Sequence, residues 1–146
     1  PKIFKPMNPS KYVGDVSNII ARSSWELKFL RWCDSNPSVK RYASEEIVIP
    51  YYSKADGKHR RYFVDFIVEM VDVNWKTQKL LIEIKPYEQT IQPQRGRKRE
   101  QTFLNECYTW QVNQDKWEAA SDFANRHGMK FIVMTEYELG LAKKRK

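Results

Sequence analysis

YFVDFIVEMVDVNWKTQKLLIEIK, running from Tyr62 to Lys85, is the stretch on which the fold reading turns. Its even positions Tyr62, Val64, Phe66, Val68 and Met70 are all apolar or aromatic, while Asp65 and Glu69 occupy odd positions. After the turn residues Asn74 to Thr77, Leu80, Ile82 and Ile84 again fill the even positions, and Lys79, Glu83 and Lys85 the odd ones. A period of two is the pattern of strands, because successive side chains leave opposite faces. The stretch therefore predicts a strand over Tyr62 to Val71, a second over Leu80 to Lys85, and a hairpin between them. One face is expected to be core and the other to carry charge.

Register follows from the turn. With the hairpin centred on Asn74, Glu69 faces Lys79 and Asp65 faces Glu83. Opposite charges favour facing positions, which supports that register. It also brings two carboxylates to about 5 Å at Cβ. Like charges so placed destabilise a sheet unless a cation lies between them, and a divalent cation that prefers oxygen suits the gap. Lys85 leaves the same face as Glu83, two residues on. A cation, two carboxylates and an ammonium suit phosphodiester hydrolysis, because Mg²⁺ held by one or two carboxylates keeps waters and accepts phosphate oxygens. The spacing alone leaves a plainer alternative open, a solvated sheet face. Two other acid-x-Lys strings occur, Glu26-Leu-Lys28 and Asp56-Gly-Lys58. The first falls on a predicted helix, where positions two apart diverge, and the second in a turn.

Working outward, Ser23-x-x-Glu26 has the spacing of a capping box. It predicts a first helix from Ser23 to Asp34, stopped by Asn36-Pro37. Ile47, Val48 and Ile49 predict a strand over Glu46 to Tyr52. Phe103, Cys107, Trp110, Trp117 and Ala124 recur at helical spacing and predict a long helix over Glu100 to Arg126, with Gly128 as its stop. Lys130 to Thr135 reads as a last strand, and Glu136 to Leu139 as a short closing helix. The order is α-β-β-β-α-β, an α/β or α+β layered domain. Residues 1–14, with three prolines, read as an extended arm, 15–142 as one domain, and 143–146 as a basic tail.

The chain has 146 residues, with 26 Lys+Arg against 18 Asp+Glu and a pI near 9.5. That is the size of one domain, with a charge that favours a polyanionic partner. Five Trp, eight Tyr and seven Phe exclude a disordered basic tail. No apolar run approaches the ~20 residues of a membrane span, and the N-terminus lacks the apolar stretch of a signal peptide, so no membrane role is expected. Two cysteines, Cys33 and Cys107, imply no disulfide framework and fit a reducing compartment. Three basic clusters stand out: Lys58-His-Arg60-Arg61, Arg95-Gly-Arg97-Lys98-Arg99, and the tail. The second lies in a loop after the Glu83 strand, where phosphate contact would position a backbone without reading bases.

The element order, with Glu26 on the first helix, Asp65 on a strand and Glu83-Ile84-Lys85 on the next, resembles the PD-(D/E)XK nuclease superfamily. Val64 stands where that motif has proline. Ile19 to Phe29, Ser44 to Tyr51 and Asn113 to Ala120 are similar to the head-completion nucleases of T-even-type tailed phages. The same core is similar to the transposon subunit that cuts 5′ ends. The resemblance implies a restriction-endonuclease-like fold with a central mixed sheet flanked by helices. It implies a Mg²⁺-dependent DNA endonuclease, with Mn²⁺ able to substitute. Asp65, Glu83 and the Ile84 carbonyl would be metal ligands, Glu26 a direct ligand or one step removed, and Lys85 the catalytic lysine. Arg22, Ser23, Gln114 and Lys116 would be accessory. The setting implied is phage head completion on the packaged DNA end, in the host cytoplasm and the head-neck region of the virion, with portal, neck or head proteins as partners. A DNA-end-binding structural head or neck protein with a weak or silent nuclease fold is the alternative. A small RNA-binding domain ranks below both, because it leaves the facing carboxylates unexplained.

Overall fold

Glu69 stands opposite Lys79 in an antiparallel pair, and Phe66 opposite Ile82, the register expected from the turn. A computed structural model describes residues 1–143; residues 144–146, most of the expected basic tail, lie outside the described residues. The strands are β1 (Lys2–Phe4), β2 (Ile19–Ala21), β3 (Val39–Ser44), β4 (Val48–Ser53), β5 (Lys58–Phe63), β6 (Phe66–Val71), β7 (Thr77–Ile84) and β8 (Lys130–Met134). The helices are α1 (Ser24–Ser35) and α2 (Glu100–Arg126). The central sheet has the order β3-β6-β7-β8. Its first two pairings are antiparallel and β7-β8 is parallel, with α2 as the crossover. This is the expected mixed sheet between helices. Among the described residues no helix is long and apolar enough to cross a membrane.

Three strand expectations need correction. The first strand of the central sheet is β3, which the sequence reading passed over. A bulge between Val39 and Arg41 breaks its alternation, so Lys40 and Arg41 both face solvent and hide the pattern. The predicted strand Glu46 to Tyr52 corresponds to β4, which leaves the central sheet and pairs only with β5. The predicted strand Tyr62 to Val71 is two strands, broken at Val64-Asp65. There the Val64 amide donates to Ile47 O at 3.1 Å and the Asp65 carbonyl accepts from Glu45 N at 3.0 Å.

That break also corrects the single core face. Phe66 and Val68 join the cluster beneath α1, whereas Tyr62 and Val64 join the cluster beneath α2. The sheet is covered on both sides. Phe29 of α1 packs on Phe66 at a centroid distance of 4.7 Å. Leu81, Trp117, Ala120 and Ala124 close the other side. Burying a side chain such as Phe66 or Leu81 contributes roughly 1.5–3 kcal/mol. The residues α2 buries lie from Asn113 onward. Gly128, at φ 68°, ends it as expected. The predicted closing helix is instead a run of turns, with Glu138 accepting from Thr135 N at 3.0 Å.

Residues 1–14 lie along the domain. β1 pairs with β2, and Phe4 and Tyr12 are buried in the α1-side cluster. Buried Asp34 accepts from Met7 N at 2.9 Å, Asn8 N at 3.2 Å and the Tyr42 hydroxyl at 3.1 Å. Lys11 Nζ donates to the Cys33, Asp34 and Asn36 carbonyls at 2.7, 3.0 and 2.9 Å. An ammonium there satisfies orphan carbonyls and opposes the negative end of the helix. Asp34→Ala leaves two amides and a hydroxyl without their acceptor and should cost about 3 kcal/mol. Urea unfolding with an unchanged midpoint would contradict this role.

Candidate active site

Asp65 occupies the break between β5 and β6, one residue before the β6–β7 ladder begins. Its Oδ2 accepts from the Ile84 amide at 2.9 Å, which fixes the carboxylate against the end of β7. Continuing the ladder by one position sets it opposite Glu83, the expected pairing. Glu83 is only 5% exposed. Its Oε2 accepts from the Tyr62 hydroxyl, and its Oε1 lies 3.9 Å from Lys85 Nζ. Alternation along β7 sends Glu83 and Lys85 to one face and Ile84 into the α1-side cluster.

The electrostatics follow from burial. Burial raises the Glu83 carboxyl, and the charge of Asp65 raises it further, to about 7. Burial likewise raises Asp65, against the Ile84 amide and the Lys85 charge, which lower it. Lys116, on α2, is held below its usual range by burial, with the Glu83 charge opposing. Its Nζ sits 5.5 Å from the centre of the Tyr62 ring. Two ammonium groups therefore attend the carboxylates without cancelling their strain.

Glu26 is half-buried on α1 and is raised first by burial and then by the charge of Asp65. It reaches toward the pair from the other helix. Ser23 Oγ accepts from Glu26 N at 3.2 Å, the expected cap. Glu26 Oε1 accepts from Arg22 N at 3.4 Å, one residue earlier than a capping box requires. The Arg22 side chain turns to Glu45, with Nε to Oε1 at 2.7 Å and the second contact at 3.1 Å. Gln114 is half-buried on α2, and its side chain makes no hydrogen bond among the described residues.

Among the described residues, no three acidic, histidine or cysteine side chains gather as a metal cage. The donor set is thus two adjacent carboxylates with Glu26 set back. That fits Mg²⁺, which takes one or two carboxylates and keeps several waters, better than ions needing a full protein shell. The donor chemistry carries the fit: Asp65 is fixed against the end of β7 beside the buried Glu83, and a divalent cation would neutralise both.

Two nearby residues escaped the sequence reading. Tyr62 reads as an ordinary apolar strand position, and only the break at Asp65 turns its hydroxyl toward Glu83. Glu45 has positive φ, 56°, and adds its charge beside Asp65 and Glu26. No sequence pattern marked it. Of the basic candidates, Arg95, Arg97 and Arg99 are exposed and unpaired among the described residues. Lys98 is bound to Glu106 at 2.7 Å. Lys58, Arg60 and Arg61 are exposed on β5, with Arg60 held by Asp56. A cavity of about 650 Å³ opens between the 88–98 loop and α2, but neither carboxylate lines it.

The family model described as TnsA-like endonuclease N terminal matches residues 36–136. That span includes Asp65, Glu83, Lys85 and Lys116 and leaves out Glu26. The chain is 45% identical over 138 residues to the protein named Head completion nuclease of Enterobacteria phage T4, covering 90% of this chain and 87% of that one. No solved structure matches the chain.

The raised Glu83 carboxyl sets a pH dependence. Its folded value of about 7 exceeds the ordinary 4.5. Between those values the unfolded chain releases the proton first, so stability should fall as pH rises. Chemical denaturation of the wild type and Glu83→Gln in chelator, from pH 4.5 to 7, checks this. The decline should be smaller in the variant, and equal slopes would contradict it.

Proposed function

The chain belongs to the TnsA-like endonuclease family, and from that footing we propose that it hydrolyses DNA phosphodiester bonds with Mg²⁺ as cofactor. One observation carries the reading: Asp65 and Glu83 converge at the end of the β6–β7 hairpin with Lys85 beside them. Asp65 and Glu83 would hold the ion, with the Ile84 carbonyl as a further ligand and Glu26 acting directly or one step removed. When bound, Mg²⁺ supplies charge stabilisation at phosphate oxygens and lowers the pKa of a coordinated water. Mn²⁺ would substitute for it.

The chain's own groups do the rest. Lys85, on the strand that carries Glu83, orients the attacking water or the scissile phosphate. Lys116 adds a second ammonium on the α2 side of the carboxylates. Arg22 and Ser23 keep the start of α1, and so Glu26, in place, and Gln114 is a further accessory candidate. Arg95, Arg97, Lys98 and Arg99, with Lys58, Arg60 and Arg61, would contact the DNA backbone. Such contacts position the duplex and carry no base readout.

The name of the phage relative supports the biological setting. The substrate would be the end of a packaged genome, cut or trimmed as the filled head is completed. Portal, neck or head proteins would be the partners, and the protein would work in the host cytoplasm and at the head-neck region of the virion.

Incubation with supercoiled and linear plasmid, with Mg²⁺, Mn²⁺ or EDTA, tests the reading. Asp65→Ala should lower metal-dependent cleavage about 100-fold or more while DNA binding persists. Cleavage that survives the change would sink the site assignment. The second expectation concerns salt. Each phosphate neutralised contributes about −0.9 to the slope of log affinity against log salt on duplex DNA. Replacing Arg95, Arg97 and Arg99 by Gln should therefore flatten that slope by about 3. Lys98→Gln should matter less, since Glu106 already holds its ammonium. An unchanged slope would remove the loop from the interface.

A further inference from the structure

Glu83 is held from outside the sheet that carries it. Tyr62 belongs to β5, in the separate β4–β5 hairpin, and is 3% exposed. Its hydroxyl donates to Glu83 Oε2, while Oε1 is the oxygen that faces Lys85. The two oxygens of one carboxylate thus have different surroundings. One accepts from a buried donor, and the other faces the Lys85 ammonium.

We propose that Tyr62 is a positioning residue that presents Glu83 as a one-oxygen ligand and so makes the site favour Mg²⁺ over Ca²⁺. The inference rests on the metal-dependent reading above. Mg²⁺ demands a small octahedral shell, takes single carboxylate oxygens and retains water. Ca²⁺ takes six to eight oxygens and readily uses both oxygens of a carboxylate. Oε2 keeps a second lone pair, but swinging it to the ion beside Oε1 would draw it away from the Tyr62 hydroxyl. That would strand a buried donor, which is costly where water cannot replace the acceptor. The Tyr62 ring is fixed independently. Ile49 pairs with it across the β4–β5 ladder, and Lys116 lies over its face. The hydroxyl therefore has little freedom to follow a shifting carboxylate.

The test needs no cleavage. Mn²⁺ binding to the full chain is followed by electron paramagnetic resonance of the free ion, with Mg²⁺ and Ca²⁺ as competitors. Wild type is compared with Tyr62→Phe, which keeps the ring, and with Ile49→Val, which loosens packing without touching the hydroxyl. Tyr62→Phe should lose about tenfold in Mg²⁺ and Mn²⁺ affinity while Ca²⁺ affinity holds or rises. Ile49→Val should leave the Ca²⁺ to Mg²⁺ ratio where it is in wild type. A Tyr62→Phe ratio equal to wild type overturns the inference alone, and so does an equal ratio shift in Ile49→Val. Failure of the wild type to bind Mn²⁺ overturns the metal-dependent reading and the inference with it.

Discussion

The antiparallel pairing of β6 with β7 is the constraint on which the rest of the structure depends. Side chains alternate with a period of two, so a slip of one residue would send Asp65 and Glu83 to opposite faces. The register is held at both ends. At the turn, Asp72 Oδ1 accepts from Asn74 N at 2.8 Å and Lys76 N at 3.0 Å. Between strands, Glu69 faces Lys79. At the far end, the Ile84 amide bonds to the Asp65 side chain itself. The last contact does double duty, because it extends the hairpin and aims a carboxylate.

Placing two carboxylates there is unfavourable in isolation. Both are mostly buried, and burial raises each above its own ordinary value. The surrounding cations, Lys85 and Lys116, come from different elements and reduce the repulsion only in part. Elsewhere the charges of Asp34 and Lys11 are closely partnered. Asp34 gathers two amides and a hydroxyl, and Lys11 gathers three carbonyls. Asp115 binds the Lys54 amide at 2.8 Å and so ties α2 to the turn of the β4–β5 hairpin. Carboxyls perturbed by burial and by a neighbouring charge are what sites of chemistry commonly show.

The β4–β5 hairpin carries two different kinds of group. Its outer residues, Lys58, Arg60 and Arg61, are exposed and basic. Its inner residue Tyr62 reaches the buried carboxylate. One short strand thus links a surface suited to a polyanion with a group suited to a cation.

Alternation, charge and the turn at Asn74 were enough to determine the register of the hairpin and the facing of Asp65 and Glu83, because both depend on local periodicity and a local turn. Capping and helical spacing likewise defined α1 to within a residue or two and α2 over its whole length. The loss of β3 to a bulge, the departure of β4 from the central sheet and the break at Val64-Asp65 were not legible. Each depends on which strand lies next door in space, and a single sequence carries no record of that. The same holds for the site's supporting residues. Asp65, Glu83 and Lys85 announce themselves through acid-and-lysine spacing on strands. Tyr62 and Glu45 do not, since a tyrosine on an apolar face and a glutamate in a turn acquire their partners only when the chain crosses from one sheet to the other. Only the tertiary structure decided that a core tyrosine would hold the carboxylate of Glu83, because the donor and the acceptor lie in separate sheets.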